Sequence, residues 1–280
     1  MSRIYRALER LEEEKKKKEA EEPSIKVFEE KSGPVQTEPL LKSRKEEAQA
    51  PILPPKEEAP VLIAKRGSIA AEEFRKLKAQ IFHRLPNPPH SILVTSAAPQ
   101  EGKTMVAVNL AIAISQEISK RVILIDGDLR NPRIHLQTKR NSKGLSNYLS
   151  DGTPLSEILV NSELENLSII EAGPSTSKSS ELIGSKKMEE LLRAVAESGE
   201  NPYIIIDSPP IISTTEPMLL AKMVDGVVLV LMADQTPKQA ISRALKGIDR
   251  QKIIGVVLNQ IDLKPSSHYS RYYRYYRKES

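Results

Sequence analysis

Ser91-Ile92-Leu93-Val94-Thr95-Ser96-Ala97-Ala98-Pro99-Gln100-Glu101-Gly102-Lys103-Thr104 decides how this chain is read. An apolar run suited to a buried strand breaks at small residues and a proline, crosses a glycine, and enters residues 103–118, which have helical composition and periodicity. Strand, glycine-bearing loop and helix N-terminus in that order form an anion cradle, because the first N–H groups of a helix have no partner within it and point at whatever lies beyond. Measured against G-x4-G-K-[ST], the segment matches at Gly102, Lys103 and Thr104 and carries Ala97 at the first glycine. Gly102 lets the backbone approach a phosphate, Lys103 neutralises charge on the β- and γ-phosphates, and the Thr104 hydroxyl can ligate Mg2+. Ala97, Ala98, Pro99, Gln100, Glu101, Gly102, Lys103 and Thr104 are therefore the expected ATP-binding loop.

Outward from this loop, apolar runs alternate with helical patterns. Strands are expected at 91–95, 121–126, 167–171, 203–207, 226–232 and 253–259, and helices at 103–118, 185–197, 215–223 and 236–250. That alternation predicts an α/β fold with a doubly wound, mostly parallel sheet of the P-loop NTPase type, with ligands at the carboxyl ends of the strands.

Two more strands end in carboxylates. Ile123-Leu124-Ile125-Asp126-Gly127-Asp128-Leu129-Arg130-Asn131-Pro132 places two aspartates just beyond a buried run, on one side if the chain stays extended, where they can meet one cation or divide metal ligation and proton acceptance between them. Tyr203-Ile204-Ile205-Ile206-Asp207-Ser208-Pro209-Pro210 has the form of a Walker B carboxylate that holds Mg2+ directly or through water. Plain Asp–Gly turn chemistry is the other reading of such strand ends. Beside a phosphate loop, convergence on one nucleotide site explains more.

The composition narrows the chemistry. There is no cysteine, which removes disulfides and thiolate metal sites, and the four histidines show no ligand spacing. The formal charge of +5 is concentrated at one end: residues 264–280 hold five basic side chains and one acidic one. No basic stripe runs through the expected folded part, so nucleic acid is not an expected partner. No stretch reaches the roughly 18 apolar residues a membrane span needs, so the protein is expected to be cytoplasmic and to reach a membrane only through a partner.

Four regions are expected: an amphipathic helix at 1–20, a disordered charged linker with prolines at 21–60, the catalytic domain at 61–263, and a flexible tail at 264–280. The tail holds Tyr269, Tyr272, Tyr273, Tyr275 and Tyr276 interleaved with arginine. It could stack on bases, lie on anionic lipid, or present tyrosines to a phosphate-transfer site.

Taken together, the loop at 97–104, Ile125-Asp126-Gly127-Asp128-Leu129-Arg130, the strand end at Asp207, Val224-Asp225-Gly226-Val227-Val228, Gly255-Val256-Val257-Leu258-Asn259 and the tyrosine tail resemble the bacterial protein-tyrosine kinases (BY-kinases), the autokinases of capsule and exopolysaccharide systems, over residues 65–276. The opening Met1-Ser2-Arg3-Ile4-Tyr5-Arg6-Ala7-Leu8 is similar to the start of the exosortase-associated subgroup. The loop separates this chain from MinD/ParA-type switch ATPases, which share the sheet and most motifs but usually carry a signature lysine where this chain has Ala98. A nucleotide-gated assembly switch of that type remains the alternative function.

The resemblance implies an ATP- and Mg2+-dependent autokinase that phosphorylates Tyr269, Tyr272, Tyr273, Tyr275 and Tyr276 and thereby regulates polysaccharide biosynthesis and export. It implies Lys103 on the β/γ-phosphates, Thr104 and Asp207 on Mg2+, Asp128 supporting the metal through water, and Asp126 accepting the proton of the acceptor tyrosine, with the two aspartate roles able to be shared. Asn259 either touches adenine or caps a local turn. An oligomerisation pattern E-x2-R-x2-R is met by Glu72, Arg75 and Lys78, where Lys78 departs from arginine and cannot reproduce its bidentate contact; a solvated charged face is the other reading. Implied partners are a transmembrane chain-length or export adaptor that recruits the kinase to the inner face of the membrane, further copies of the chain in a ring, and a tyrosine phosphatase. The segment Gly173-Pro174-Ser175-Thr176-Ser177-Lys178-Ser179-Ser180-Glu181-Leu182 departs from the family pattern without an assigned role.

Overall fold

The computed structural model describes residues 63–65, 67–117, 120–134, 143–198 and 201–261. The expected N-terminal helix, the linker and the tyrosine tail lie outside these residues. Helix α1 (Ile69–Arg84) starts at Ser68, whose hydroxyl accepts the Ala71 N–H at 3.2 Å, an N-cap that satisfies one of the helix's unpaired donors. Strand β1 (Ser91–Ser96) runs into the loop at 97–102 and then helix α2 (Lys103–Ser115). β2 (Val122–Asp126) precedes the short helices α3 (Leu145–Asp151) and α4 (Leu155–Ile158), and β3 (Leu159–Asn161) turns back antiparallel onto β4 (Leu167–Ile170). Helices α5 (Ser179–Ile183) and α6 (Lys186–Ala196) lead to β5 (Tyr203–Asp207), α7 (Glu216–Met223), β6 (Gly226–Met232), α8 (Lys238–Gly247) and β7 (Ile253–Asn259).

The sheet order is β3-β4-β2-β5-β1-β6-β7, and every pairing except β3 with β4 is parallel. All six expected strands are present within a residue at each end. β3 and the short helices α3, α4 and α5 are additions that no periodicity announced. Parallel strands of this kind are buried on both faces, which is why β1, β2, β5 and β6 read as unbroken apolar runs.

Two cores follow, one on each face. Ile92, Val94, Leu124, Ile205 and Val228 pack with Val106, Leu110 and Ile114 of α2. Ile125, Ile206, Val227 and Leu229 pack with Leu191 and Val195 of α6 and Leu220 of α7 on the other. α2 is buried along nearly its whole length because α1 covers it from outside through Phe74, Leu77 and Ile81. Among the described residues, no helix is long and apolar enough to cross a membrane.

Candidate active site

The strand register brings the chemistry together. β2 and β5 are adjacent, and Asp126 is paired directly with Asp207; β1 lies on the other side of β5, so its loop opens beside the same strand ends. Gly127 explains how the chain leaves this crowded point. Its N–H donates to the Asp207 carbonyl at 2.9 Å, and a Cβ at this position would sit 2.7 Å from that oxygen. Only glycine passes so close to a neighbouring backbone.

Asp126 is fully buried and braces the segment that follows it. Its Oδ1 accepts the Asp128 N–H at 3.1 Å, and its Oδ2 accepts the N–H groups of Arg133 and Ile134, each at 3.0 Å. Burial, and after it the Asp207 carboxylate, push the Asp126 carboxyl up to about 7, against the pull of the Ile134 and Arg133 N–H groups.

Lys103 sits among the remaining carboxylates. Its Nζ lies 3.3 Å from Asp128 Oδ2, 3.9 Å from Asp207 Oδ1 and 3.3 Å from the Thr104 hydroxyl. Asp128 Oδ1 also accepts the Asn131 N–H at 3.1 Å. Asp207 is wholly buried, and neither of its oxygens has a hydrogen-bond partner of ordinary geometry. Burial raises its carboxyl, with Asp128 adding to the effect, while Lys103 and the nearby Thr104 hydroxyl oppose it.

These donors suit a hard cation. Two unpartnered carboxylate oxygens on Asp207, an oxygen of Asp128 and the Thr104 hydroxyl could hold Mg2+, which is commonly bound by one or two carboxylates and completes its shell with water and substrate phosphates. Among the described residues, no group of three or more His, Cys, Asp or Glu is arranged to hold a metal by itself.

The loop at 97–102 is internally braced. The Ser96 hydroxyl donates to the Ala98 carbonyl at 2.8 Å, and the Ala98 N–H donates to Glu101 Oε2 at 2.8 Å. Gln100 and Gly102 both adopt positive φ, 65° and 87°. Asn259, at the end of β7, donates through Nδ2 to the Glu101 carbonyl at 2.9 Å, which ties it to the phosphate loop just before the start of α2. The structure thus brings Lys103, Thr104, Asp126, Asp128 and Asp207 into one cluster with Asn259 at the loop's edge.

Glu72, Arg75 and Lys78 lie on α1, outside that cluster. Arg75 pairs with Glu72 at 2.9 Å within the helix, and Lys78 approaches Glu117 at 3.8 Å. Two charged groups were not anticipated. Glu216 is fully buried and accepts Arg130 Nε at 2.9 Å together with the Ser179 hydroxyl. This contact binds the segment after Asp128 to α5 and α7, and it gives the unassigned 173–182 segment a structural role. No sequence pattern signals it, because its members are 86 and 37 residues apart.

Residues 96–260 match the AAA domain family. The putative tyrosine-protein kinase CapB of Staphylococcus aureus is 32% identical over 211 residues, which cover 74% of this chain and 91% of that protein. Tyrosine-protein kinase YwqD of Bacillus subtilis (strain 168) is 31% identical over 209 residues, covering 73% and 87%. Among solved structures, the chimerical protein CapA2B2 superposes with a TM-score of 0.65 at 30% identity, over 70% of this chain and 87% of that one.

Proposed function

The chain belongs to the bacterial protein-tyrosine kinases, and from that premise we propose that it transfers the γ-phosphoryl group of ATP to Tyr269, Tyr272, Tyr273, Tyr275 and Tyr276 of another copy's tail. The observation that carries this reading is the cluster at the carboxyl ends of the central strands: Lys103 within 3.9 Å of Asp128 and Asp207, with Asp126 in register beside Asp207. That arrangement supplies a cation for phosphates, oxygen ligands for a metal and a buried base within one small volume.

In the proposed reaction the phenolic oxygen of the acceptor attacks the γ-phosphorus, the bond to the β-phosphate bridging oxygen breaks, and ADP leaves. The phenolic proton passes to Asp126, whose carboxyl lies near 7 and so exchanges protons at neutral pH. A free phenol ionises only near ~10, so proton removal has to accompany bond formation. Lys103 and the loop N–H groups hold the β- and γ-phosphates, and Asp207 and Thr104 would hold Mg2+, with Asp128 supporting it through water. When bound, the metal would supply neutralisation of the phosphate charge. Alignment and charge neutralisation provide most of the acceleration.

The same reading puts Asn259 beside the adenine, the chain in a homo-oligomer that uses Glu72, Arg75 and Lys78 of α1, and the protein at the inner face of the membrane through a transmembrane adaptor of polysaccharide polymerisation or export. A tyrosine phosphatase returns the tail to its starting state. Each phosphorylation adds about −1.5 to −2 charges, so three events reverse the tail's net +4 and loosen tail docking and the oligomer.

Mixing tests transfer between copies. A Lys103→Met chain with an intact tail is incubated with Mg-ATP and a chain whose five tail tyrosines are phenylalanine. Phosphate on the Lys103→Met chain supports transfer in trans; its absence, while wild type alone becomes phosphorylated, rejects it. An oligomer of unchanged size after tail phosphorylation rejects the charge-reversal step.

A further inference from the structure

Glu101 lies inside the phosphate loop yet is only 3% exposed, and a carboxylate so deeply placed needs partners for its oxygens. It has them on three segments. Oε2 accepts the Ala98 N–H at 2.8 Å, and Oε1 accepts the Thr236 hydroxyl. Its backbone carbonyl accepts Asn259 Nδ2 at 2.9 Å. Thr236 belongs to the turn between β6 and α8, where its oxygen also accepts the Met232 N–H at 2.8 Å, and the Ala233 N–H of that turn donates to the Asn259 carbonyl at 2.9 Å. One glutamate therefore cross-links the phosphate loop, the turn after β6 and the end of β7.

The geometry of the loop depends on this link. Gln100 is held in a left-handed conformation that side chains rarely adopt, so the strain there must be balanced by neighbouring contacts. The Ala98 to Glu101 hydrogen bond closes the loop across Gln100. The Asn259 amide fills the space that a Cβ on Gly102 would need, which joins the glycine's conformation to the same network.

We propose that Thr236 and Glu101 are positioning residues for the nucleoside triphosphate: the Thr236 hydroxyl fixes the Glu101 carboxylate, which fixes the loop so that its N–H groups and Lys103 meet the phosphates without rearrangement. Neither residue contacts the reacting atoms. The inference rests on the reading of residues 97–104 as the ATP loop. It extends that reading to Thr236, which is 135 residues away in sequence.

The test uses the full chain with Mg-ATP, measuring KM and kcat for tail phosphorylation and the Kd of a fluorescent ATP analogue. Thr236→Val keeps the shape and removes the donor, so KM and Kd rise about five- to tenfold, as expected for the net contribution of one intramolecular hydrogen bond, with kcat within twofold. Thr236→Ser restores the hydroxyl and returns KM to within twofold of wild type. If Thr236→Val does not fold, Glu101→Gln carries the test, with KM raised about threefold because an amide has only one accepting oxygen. KM unchanged in these variants, or kcat lost at constant KM, overturns the proposal. A wild-type chain that binds no nucleotide overturns the ATP reading itself, whereas normal wild-type binding with an indistinguishable Thr236→Val overturns only the positioning role.

Discussion

Asp126 and Asp207 are direct neighbours across β2 and β5, both wholly buried, and burial first, with a neighbouring carboxylate added (Asp207 beside Asp126, Asp128 beside Asp207), disfavours the charged form of each. The folded chain accommodates them by raising both, with Asp126 reaching about 7.

The sign of the resulting pH dependence follows from proton binding. A carboxyl whose folded value lies above its unfolded value holds more protons in the folded state, so its contribution favours folding at low pH and is lost as pH rises through the folded value. For the nucleotide-free chain, the window runs from about 4 to about 7. Denaturant titrations from pH 5 to pH 7 are expected to show wild type losing about 1 to 3 kcal/mol relative to Asp126→Asn. Parallel curves would contradict the raised carboxyl.

Lys103 is the cation nearest Asp128 and Asp207 among their described ion pairs. Lys103→Met is expected to abolish tail phosphorylation and to destabilise the nucleotide-free chain by about 1 to 3 kcal/mol, because the buried carboxylates lose their counter-charge. Thermal or denaturant unfolding checks the second part. Unchanged stability would show that Lys103 does not screen the aspartates.

Gly127→Ala places a methyl group against the Asp207 carbonyl. The expected cost is about 1 to 3 kcal/mol, with loss of activity, since the neighbour is backbone and cannot turn aside. Gly255→Ala, where nothing lies within 4 Å of the added Cβ, serves as the control and should stay within about 0.5 kcal/mol of wild type.

Asp207→Asn removes the negative charge that the proposed metal site needs while keeping the side-chain shape. The Mg2+ concentration for half-maximal activity is expected to rise at least about tenfold, with nucleotide affinity in the absence of metal changed far less. Equal Mg2+ dependence in the two proteins would remove Asp207 from the metal site.

The parts of the fold that sequence reasoning reached are those where one physical constraint acts over a contiguous run. Strands buried on both faces need unbroken apolar residues, and carboxylates at their ends stand out against that background, as at Asp126 and Asp207. Short elements carry no such signal. β3 is three residues long and pairs at the sheet edge, and α5 is held by the Ser179 hydroxyl on Glu216, a residue of α7 that lies 37 positions further along the chain. The bracing of Glu101 by Thr236 and of Arg130 by Glu216 joins residues far apart in sequence, and polar residues of these types occupy solvated turns just as often. Their burial becomes visible only in the assembled sheet.

The central claim is that this site phosphorylates the chain's own tyrosine tail. Its most direct measurement is mass-spectrometric mapping of the purified full chain after incubation with Mg-ATP, with and without the cytoplasmic segment of a candidate adaptor. Phosphate on Tyr269, Tyr272, Tyr273, Tyr275 or Tyr276, absent from Lys103→Met, is the predicted result. Robust ATP hydrolysis with an unmodified tail under both conditions would contradict it and favour a nucleotide-gated switch.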